Sequence, residues 1–325
     1  MQLERRTFIG ALAGFWLRPA LALAQSKIPT VGVISAGGET SFGHFIAAMV
    51  ARLKELGWAD GSNVRIEYRW AEGQNERVSA FAAEFARAKV DLIVTHSNAA
   101  VTLAAKAAPE TPIVAASMCD PVKAALALSL AHPGGNITGS SIQVEDLAPK
   151  RTALLREIVP NLRRLAVMGY SSGETLGTEM LSAKAYAATI GLDATAFPLK
   201  QSADIATAFE SARGRADGLF VTSTPFTMIN RAEIFRLALE ARLPSVTGAA
   251  DYVASGALVS YGTDFDDVWR RAAGYVDRIL RGEKPGDLPI QQSTRFELAV
   301  NLKTAKALDL AVPQSILAGA DEVIE

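Results

Sequence analysis

The chain has 325 residues, 49% of them hydrophobic and 21% charged, with a formal net charge of −1. That is the composition of a folded chain with a sizeable core, long enough for two domains. It lacks the concentrated positive charge that a nucleic-acid surface needs, and its single cysteine, Cys119, excludes a disulfide within the chain.

The first residues stand apart from the rest. Arg5 and Arg6 precede an apolar, small-residue run over 8–17, and Ala22, Leu23 and Ala24 follow, which is the order of a secretory signal. The small residues at 22 and 24 predict cleavage before Gln25, and Arg18 leaves the apolar run too short to span a bilayer. Arg5 and Arg6 followed by Thr7, Phe8 and Ile9 fit a twin-arginine export signal. The expected mature protein is mildly acidic, has no cysteine near the cleavage point to carry a lipid, and works in the periplasm as a monomer.

From residue 30 the pattern alternates. An apolar, β-branched run at 30–35 predicts a strand; Gly37 and Gly38 turn the chain, and 42–56 reads as a helix. A strand at 63–68, a helix at 77–88, a buried strand at 90–95, a helix at 99–107 and a strand at 112–116 follow. The same order begins again with a strand at 165–168, a helix at 175–190 and a strand at 194–198. DLIVT at 91–95 is echoed by GLFVT at 218–222, and TPIVAA at 111–116 by LPSVTG at 243–248. Strands alternating with helices imply mostly parallel sheets, and the repetition implies two matched α/β lobes, each Rossmann-like.

In such sheets ligands sit at the loops leaving the carboxyl ends of the strands. The first lobe then supplies Ser35, Gly37, Gly38, Thr95, Ser97, Asn98, Ser117 and Asp120 as candidate ligand-binding residues. The second supplies Tyr170, Ser171, Ser172, Thr224, Phe226, Asp251 and Tyr252. These loops are rich in Ser, Thr, Asn and Gly and poor in charge, which suits a small polar or zwitterionic solute. Asp251 reads equally as a partner for a ligand ammonium or as the cap of a short helix at 252–255, and Asp120 before Pro121 reads first as a cap. Tyr170, Phe226, Tyr252 and Tyr261 are candidates to stack on the ligand.

Longer stretches carry a resemblance. IEYRWAEG at 66–73, DPV at 120–122, HPGGNITG at 132–139, KRTALLREIVP at 150–160, SGALVSYG at 255–262, FELAVNLKTAKALDL at 296–310 and ADEVIE at 320–325 occur in order. Together they resemble the ABC-transporter substrate-binding proteins of the tryptophan/tyrosine-binding type, which have a periplasmic-binding-protein type I fold. The resemblance implies a Venus flytrap: two lobes with parallel sheets joined by a three-strand hinge, crossing near 136–142, 258–262 and 289–292. It places 28–140 with 262–290 in the N-terminal lobe and 141–261 with 291–325 in the C-terminal lobe. It also implies an amino-acid-like ligand, an aromatic amino acid among the options, and a membrane permease as partner; a periplasmic sensor using the same cleft is the alternative role.

Other motifs point away from catalysis. Residues 169–173 fit G-x-S-x-G between a strand and a helix, the context of a hydrolase nucleophile, which would be Ser171. In that fold the histidine base follows the serine, and His44, His96 and His132 all precede it. Gly37 and Gly38 lack the remainder of a phosphate-binding motif, and Glu39 would repel an anion. The histidines and Cys119 lack metal-ligand spacing, so neither metal nor cofactor is expected. Sugar-responsive repressors share this fold class but need a helix-turn-helix where this chain has its export signal.

Overall fold

The computed structural model describes residues 28–171 and 176–325; the leader expected over 1–24 lies outside them, as does Ser172. The first half runs β1 (Thr30–Ser35), α1 (Glu39–Glu55), β2 (Arg65–Trp70), α2 (Asn75–Ala88), β3 (Leu92–Thr95), α3 (Asn98–Ala107), β4 (Ile113–Cys119) and β5 (Ile137–Ile142). The second runs α4 (Val144–Ile158), β6 (Arg164–Tyr170), α5 (Thr178–Thr189), β7 (Asp193–Leu199), α6 (Asp204–Ala212), β8 (Gly218–Val221), α7 (Pro225–Ile229), α8 (Arg231–Glu240), β9 (Ser245–Thr247), α9 (Ala250–Ala254) and β10 (Val259–Thr263). The chain closes with α10 (Phe265–Leu280), β11 (Gln291–Gln292), β12 (Phe296–Asn301), α11 (Leu302–Ala307), α12 (Gln314–Ala318) and β13 (Glu322–Ile324).

The strands form two sheets. One has the order β11-β5-β4-β3-β1-β2 and the other β13-β12-β10-β9-β8-β6-β7, so the repeated halves occupy matching positions. Every pairing is parallel except β10 with β12. Because side chains alternate along a strand, the first sheet feeds two cores. Val31, Val33, Leu92 and Val94 pack with α1 and α10, while Ile34, Ile93 and Ile113 pack with α2 and α3. On α1, Phe42, Phe45, Ile46, Met49 and Leu53 recur at helical spacing and are buried, which sets its inward face.

Glycine permits the closest strand approach in each lobe. A Cβ at Gly139, where φ is +140°, would overlap the Ala115 carbonyl, and one at Gly262 would overlap that of Gly248. Only a residue without a Cβ fits either place.

The chain passes between sheets three times. The sheet memberships end at 142, 263 and 292, rather than at the expected 140, 261 and 290, because β5, β10 and β11 each pair for two residues more. The crossings are tied together: the Ser293 amide donates to the Ser141 carbonyl at 2.9 Å, the Asp264 amide to the Arg295 carbonyl at 3.2 Å, and Asp264 caps α10 through the Asp267 amide at 2.9 Å. The expected strands and helices are present with shifted ends; β4, for instance, continues to Cys119 past a register shift between Ala115 and Met118 that restores its pairing with β5. Among the described residues no helix is long and apolar enough to cross a membrane.

Candidate ligand-binding site

On the first lobe the loops after β1, β3 and β4 meet. Ser97 turns the chain at a φ of 70°, its amide donating to the Ser117 carbonyl at 2.7 Å and its hydroxyl accepting from the Ala100 amide at 3.4 Å. The Asn98 side chain bridges to Cys119 in both directions, at 2.7 Å each. These bonds fix the start of α3 against the end of β4.

On the second lobe the loop after β8 is closed on itself. Thr224 and Thr227 form a capping box at the start of α7, and the Thr227 hydroxyl lies 2.9 Å from the Tyr252 hydroxyl. Behind this wall Arg151 of α4 and Glu179 of α5 form a buried ion pair. Arg151 also donates to the Tyr261 carbonyl at 2.7 Å, and Glu179 accepts the Ser223 amide at 2.8 Å. Burial lowers the Arg151 pKa and raises that of Glu179, each pulled back by the other's charge.

Between the lobes lies a cavity of about 270 Å³. Its walls include Phe42, Phe45, Met118 and Phe265 from the first lobe and Tyr170, Pro225, Phe226, Met228 and Tyr252 from the second. The rings adjoin one another: Phe42 lies 4.4 Å from His96, Phe45 5.7 Å from Phe265, and Tyr170 5.3 Å from Phe226 between centroids. Among the described residues that line it there is no Asp, Glu, Lys or Arg.

The lobes are shut over this space. His44 Nε2 of α1 lies 2.9 Å from Asp251 Oδ1 of α9, and Arg231 donates to the Ser41 hydroxyl at 3.2 Å. Phe42 and Phe45 share one buried cluster with Met228 and Tyr252. The Asp251 hydrogen bond raises the His44 pKa above its ordinary 6.5, whereas burial holds His96 down to about 3. Burial also pushes the Cys119 thiol up to about 12, so it stays protonated and is a weak nucleophile at neutral pH.

Of the residues singled out from sequence, Ser97, Asn98, Ser117, Tyr170, Thr224, Phe226 and Tyr252 line the cavity. The others do not. Ser35 lies behind it, its hydroxyl accepting the Gly37 amide at 3.2 Å; Gly37 packs under the Phe42 ring, and Gly38 caps α1 against Glu72. Thr95 is buried in the first sheet. Asp120 accepts the Lys123 amide at 3.2 Å and borders a separate hollow of about 170 Å³. Asp251 neither caps α9, whose cap is Ala249, nor faces the cavity; it pairs with His44. Ser171 is buried, its amide donating to the Leu199 carbonyl at 2.9 Å. Tyr261 stacks on Phe296, 6.2 Å away in β12.

Sequence reasoning missed Phe42, Phe45 and Phe265; His96 and Met118 fall inside the expected wall segments 95–99 and 117–120 without being singled out as ligand-binding residues. The phenylalanines sit at ordinary helical core spacing. Among the described residues no cluster of His, Cys, Asp and Glu could hold a metal ion.

Several comparisons bear on this architecture. A curated protein from Clostridioides difficile (strain R20291), named a tyrosine-binding protein, is 26% identical over 261 residues, covering 80% of this chain and 75% of its own. A solved structure of an ABC domain from Streptococcus pneumonia in complex with L-Trp is 25% identical, with a TM-score of 0.85 over 91% of this chain and 99% of that one. The ligand-free, open structure of a substrate-binding protein with adhesive properties from Clostridium difficile has the same fold, with 24% identity and a TM-score of 0.68 over 91% and 99% of the two chains. The family model described as ABC transporter substrate binding protein matches residues 38–324, and the chain belongs to that family.

Proposed function

We propose that this protein captures a small ligand with an aromatic ring outside the cytoplasmic membrane and delivers it to the permease of an ABC importer. The observation that carries the reading is the cavity between the lobes, ringed by Phe42, Phe45, Tyr170, Phe226 and Phe265. Flat apolar walls favour a flat apolar ligand, which both stacks on them and loses its water on enclosure. The tyrosine-binding name of one relative and the bound L-Trp of another point the same way, toward an aromatic amino acid.

Capture is a two-state event in this reading. Ligand held by one lobe gains contacts with the other only when the lobes shut, so binding energy is spent on the closed state. Residues 1–24 serve as the export leader and the mature chain acts as a monomer. Binding without turnover suits a site whose thiol stays protonated and whose histidine, lowered to about 3 by burial, is a weak base at neutral pH.

Isothermal titration of the protein with L-tryptophan, L-tyrosine and L-phenylalanine, beside L-leucine, L-aspartate and glucose, tests the ligand class. One-to-one binding of at least one aromatic amino acid, in the micromolar range or tighter, is the expected result. Absence of heat with all three aromatic compounds would overturn the reading.

A further inference from the structure

We propose that the outer face of α10 carries a second binding site, away from the cleft, for an anion bearing two or more phosphate groups. The inference goes beyond the aromatic-ligand reading and does not depend on it.

The formal net charge of −1 averages over an uneven surface. On the first lobe a hollow of about 450 Å³ brings together Arg52 of α1 and Arg270, Arg271 and Arg278 of α10 with a single carboxylate, Asp267, for a local formal charge of +3. Each guanidinium is anchored from one side. Arg52 Nη1 donates to Glu55 at 2.7 Å, and Arg270 Nη2 donates to the same carboxylate at 3.2 Å. Arg271 Nε lies 2.7 Å from Asp267, and Arg278 donates twice to Glu283, at 2.9 and 2.6 Å. Glu55 and Glu283 do not line the hollow, so they hold the arginines in place without filling it. Among the described residues no acceptor meets Arg52 Nε and Nη2, Arg270 Nε and Nη1, or Arg278 Nη1.

Gly274 keeps the hollow open. It sits one turn from Arg270 and one turn from Arg278 on the same stripe of α10, and a Cβ there would meet no neighbouring atom within 4 Å. Glycine weakens a helix interior relative to alanine, and no close packing calls for it at this position. The floor beside it is fixed: the buried Tyr275 donates its hydroxyl to the Pro289 carbonyl at 2.7 Å and accepts the Gln291 amide at 3.1 Å. Arg271 reaches the Gln292 carbonyl at 3.5 Å and the Thr294 hydroxyl at 3.3 Å, so the hollow borders the third crossing between the lobes.

The spacing selects the ligand. Arg270 and Arg278 stand two turns apart, about 12 Å along the helix axis, and anchored as they are a single phosphate does not span them. A chain of phosphates does. Guanidinium groups present paired donors to phosphate oxygens in charge-assisted bonds, a match that a rigid row of arginines strengthens. A free oligophosphate and a lipid headgroup with two phosphates offer the same chemistry.

Calorimetry of the full mature protein at low ionic strength uses tripolyphosphate and orthophosphate, and co-sedimentation uses phosphatidylcholine vesicles with and without cardiolipin. Tripolyphosphate is expected to bind one-to-one, roughly tenfold or more tighter than orthophosphate, and to weaken as salt is added. Gly274→Leu fills the hollow and keeps every charge; it should hold its thermal midpoint and lose roughly tenfold or more in affinity. Arg270→Gln with Arg278→Gln should lose as much. Arg236→Gln with Arg242→Gln, an equal change of charge outside the hollow, should stay within about twofold of wild type.

Tripolyphosphate binding assigns the site to free oligophosphates, and capture by cardiolipin vesicles alone assigns it to a headgroup. Absence of both in wild type would overturn the site. So would orthophosphate binding as tightly as tripolyphosphate, unchanged affinity in G274L, or an equal loss in the two arginine pairs, each of which would leave only diffuse attraction to surface charge.

Discussion

At the first-lobe wall, Ser35, Ala36 and His96 form a buried polar cluster; at the second, Arg151, Glu179 and Ser223 form another. In the first, His96 Nε2 accepts the Ala36 amide at 3.0 Å while the residue lines the cavity. The second turns inward: Glu179 is consumed by Arg151 and the Ser223 amide, and the remaining Arg151 Nη2 is buried beside Gly248, where a Cβ would overlap it. Burial and polarity alone therefore do not mark a recognition group.

The sharpest way to break this comparison is to disable the second cluster. Arg151→Met leaves the Glu179 carboxylate buried without its partner and is expected to cost about 3–5 kcal/mol of stability, read as a lower denaturant midpoint. The folded fraction should keep its ligand preference, and changing Glu179 to an apolar residue as well should recover most of the loss. A change in which ligands bind would mean that Arg151 reaches the ligand.

A smaller effect comes from the rim. His44 is held above its ordinary value of 6.5 first by its hydrogen bond to Asp251, with Asp266 acting the same way and burial and Arg231 against. The pairing thus supports closure fully below about 6.5 and is lost as pH rises through the raised value. Affinity for the aromatic ligand should fall a few-fold between about pH 6 and about pH 9, and His44→Gln should flatten that change. Glu297, raised to about 7 first by burial, also loses its contribution on the alkaline side, so a residual slope in the variant belongs to it. His96, lowered to about 3 by burial, is already neutral throughout this window. A wild-type profile that is flat, or that rises with pH, would remove the latch role.

The alternation of apolar runs made the two sheets legible, because strands buried on both faces read as near-continuous Val, Ile and Leu. The loops at the strand ends were legible too, which is why Ser97, Asn98, Tyr170 and Phe226 were singled out. Pairing across the cleft was not. Asp251 meets His44 through the folding of two lobes, and no local signal in either segment joins them. Phe42 and Phe45 were hidden for another reason: at spacings of three they look like any buried helix face, and only the position of α1 over the cavity gives them a second side to serve. The lobe boundaries at 140, 261 and 290 fall two residues short of the sheet ends, although the expected crossings near 136–142, 258–262 and 289–292 overlap them, because strand pairing, unlike turn chemistry, leaves no punctuation in sequence.

Small-angle scattering of the full mature protein, with and without a ligand shown by calorimetry to bind, tests most directly whether the ligand is enclosed between the lobes. A fall in radius of gyration on saturation, to the value calculated for the shut arrangement, is the expected result. Calorimetric binding with a scattering curve that does not change, and that fits an open arrangement throughout, would contradict it.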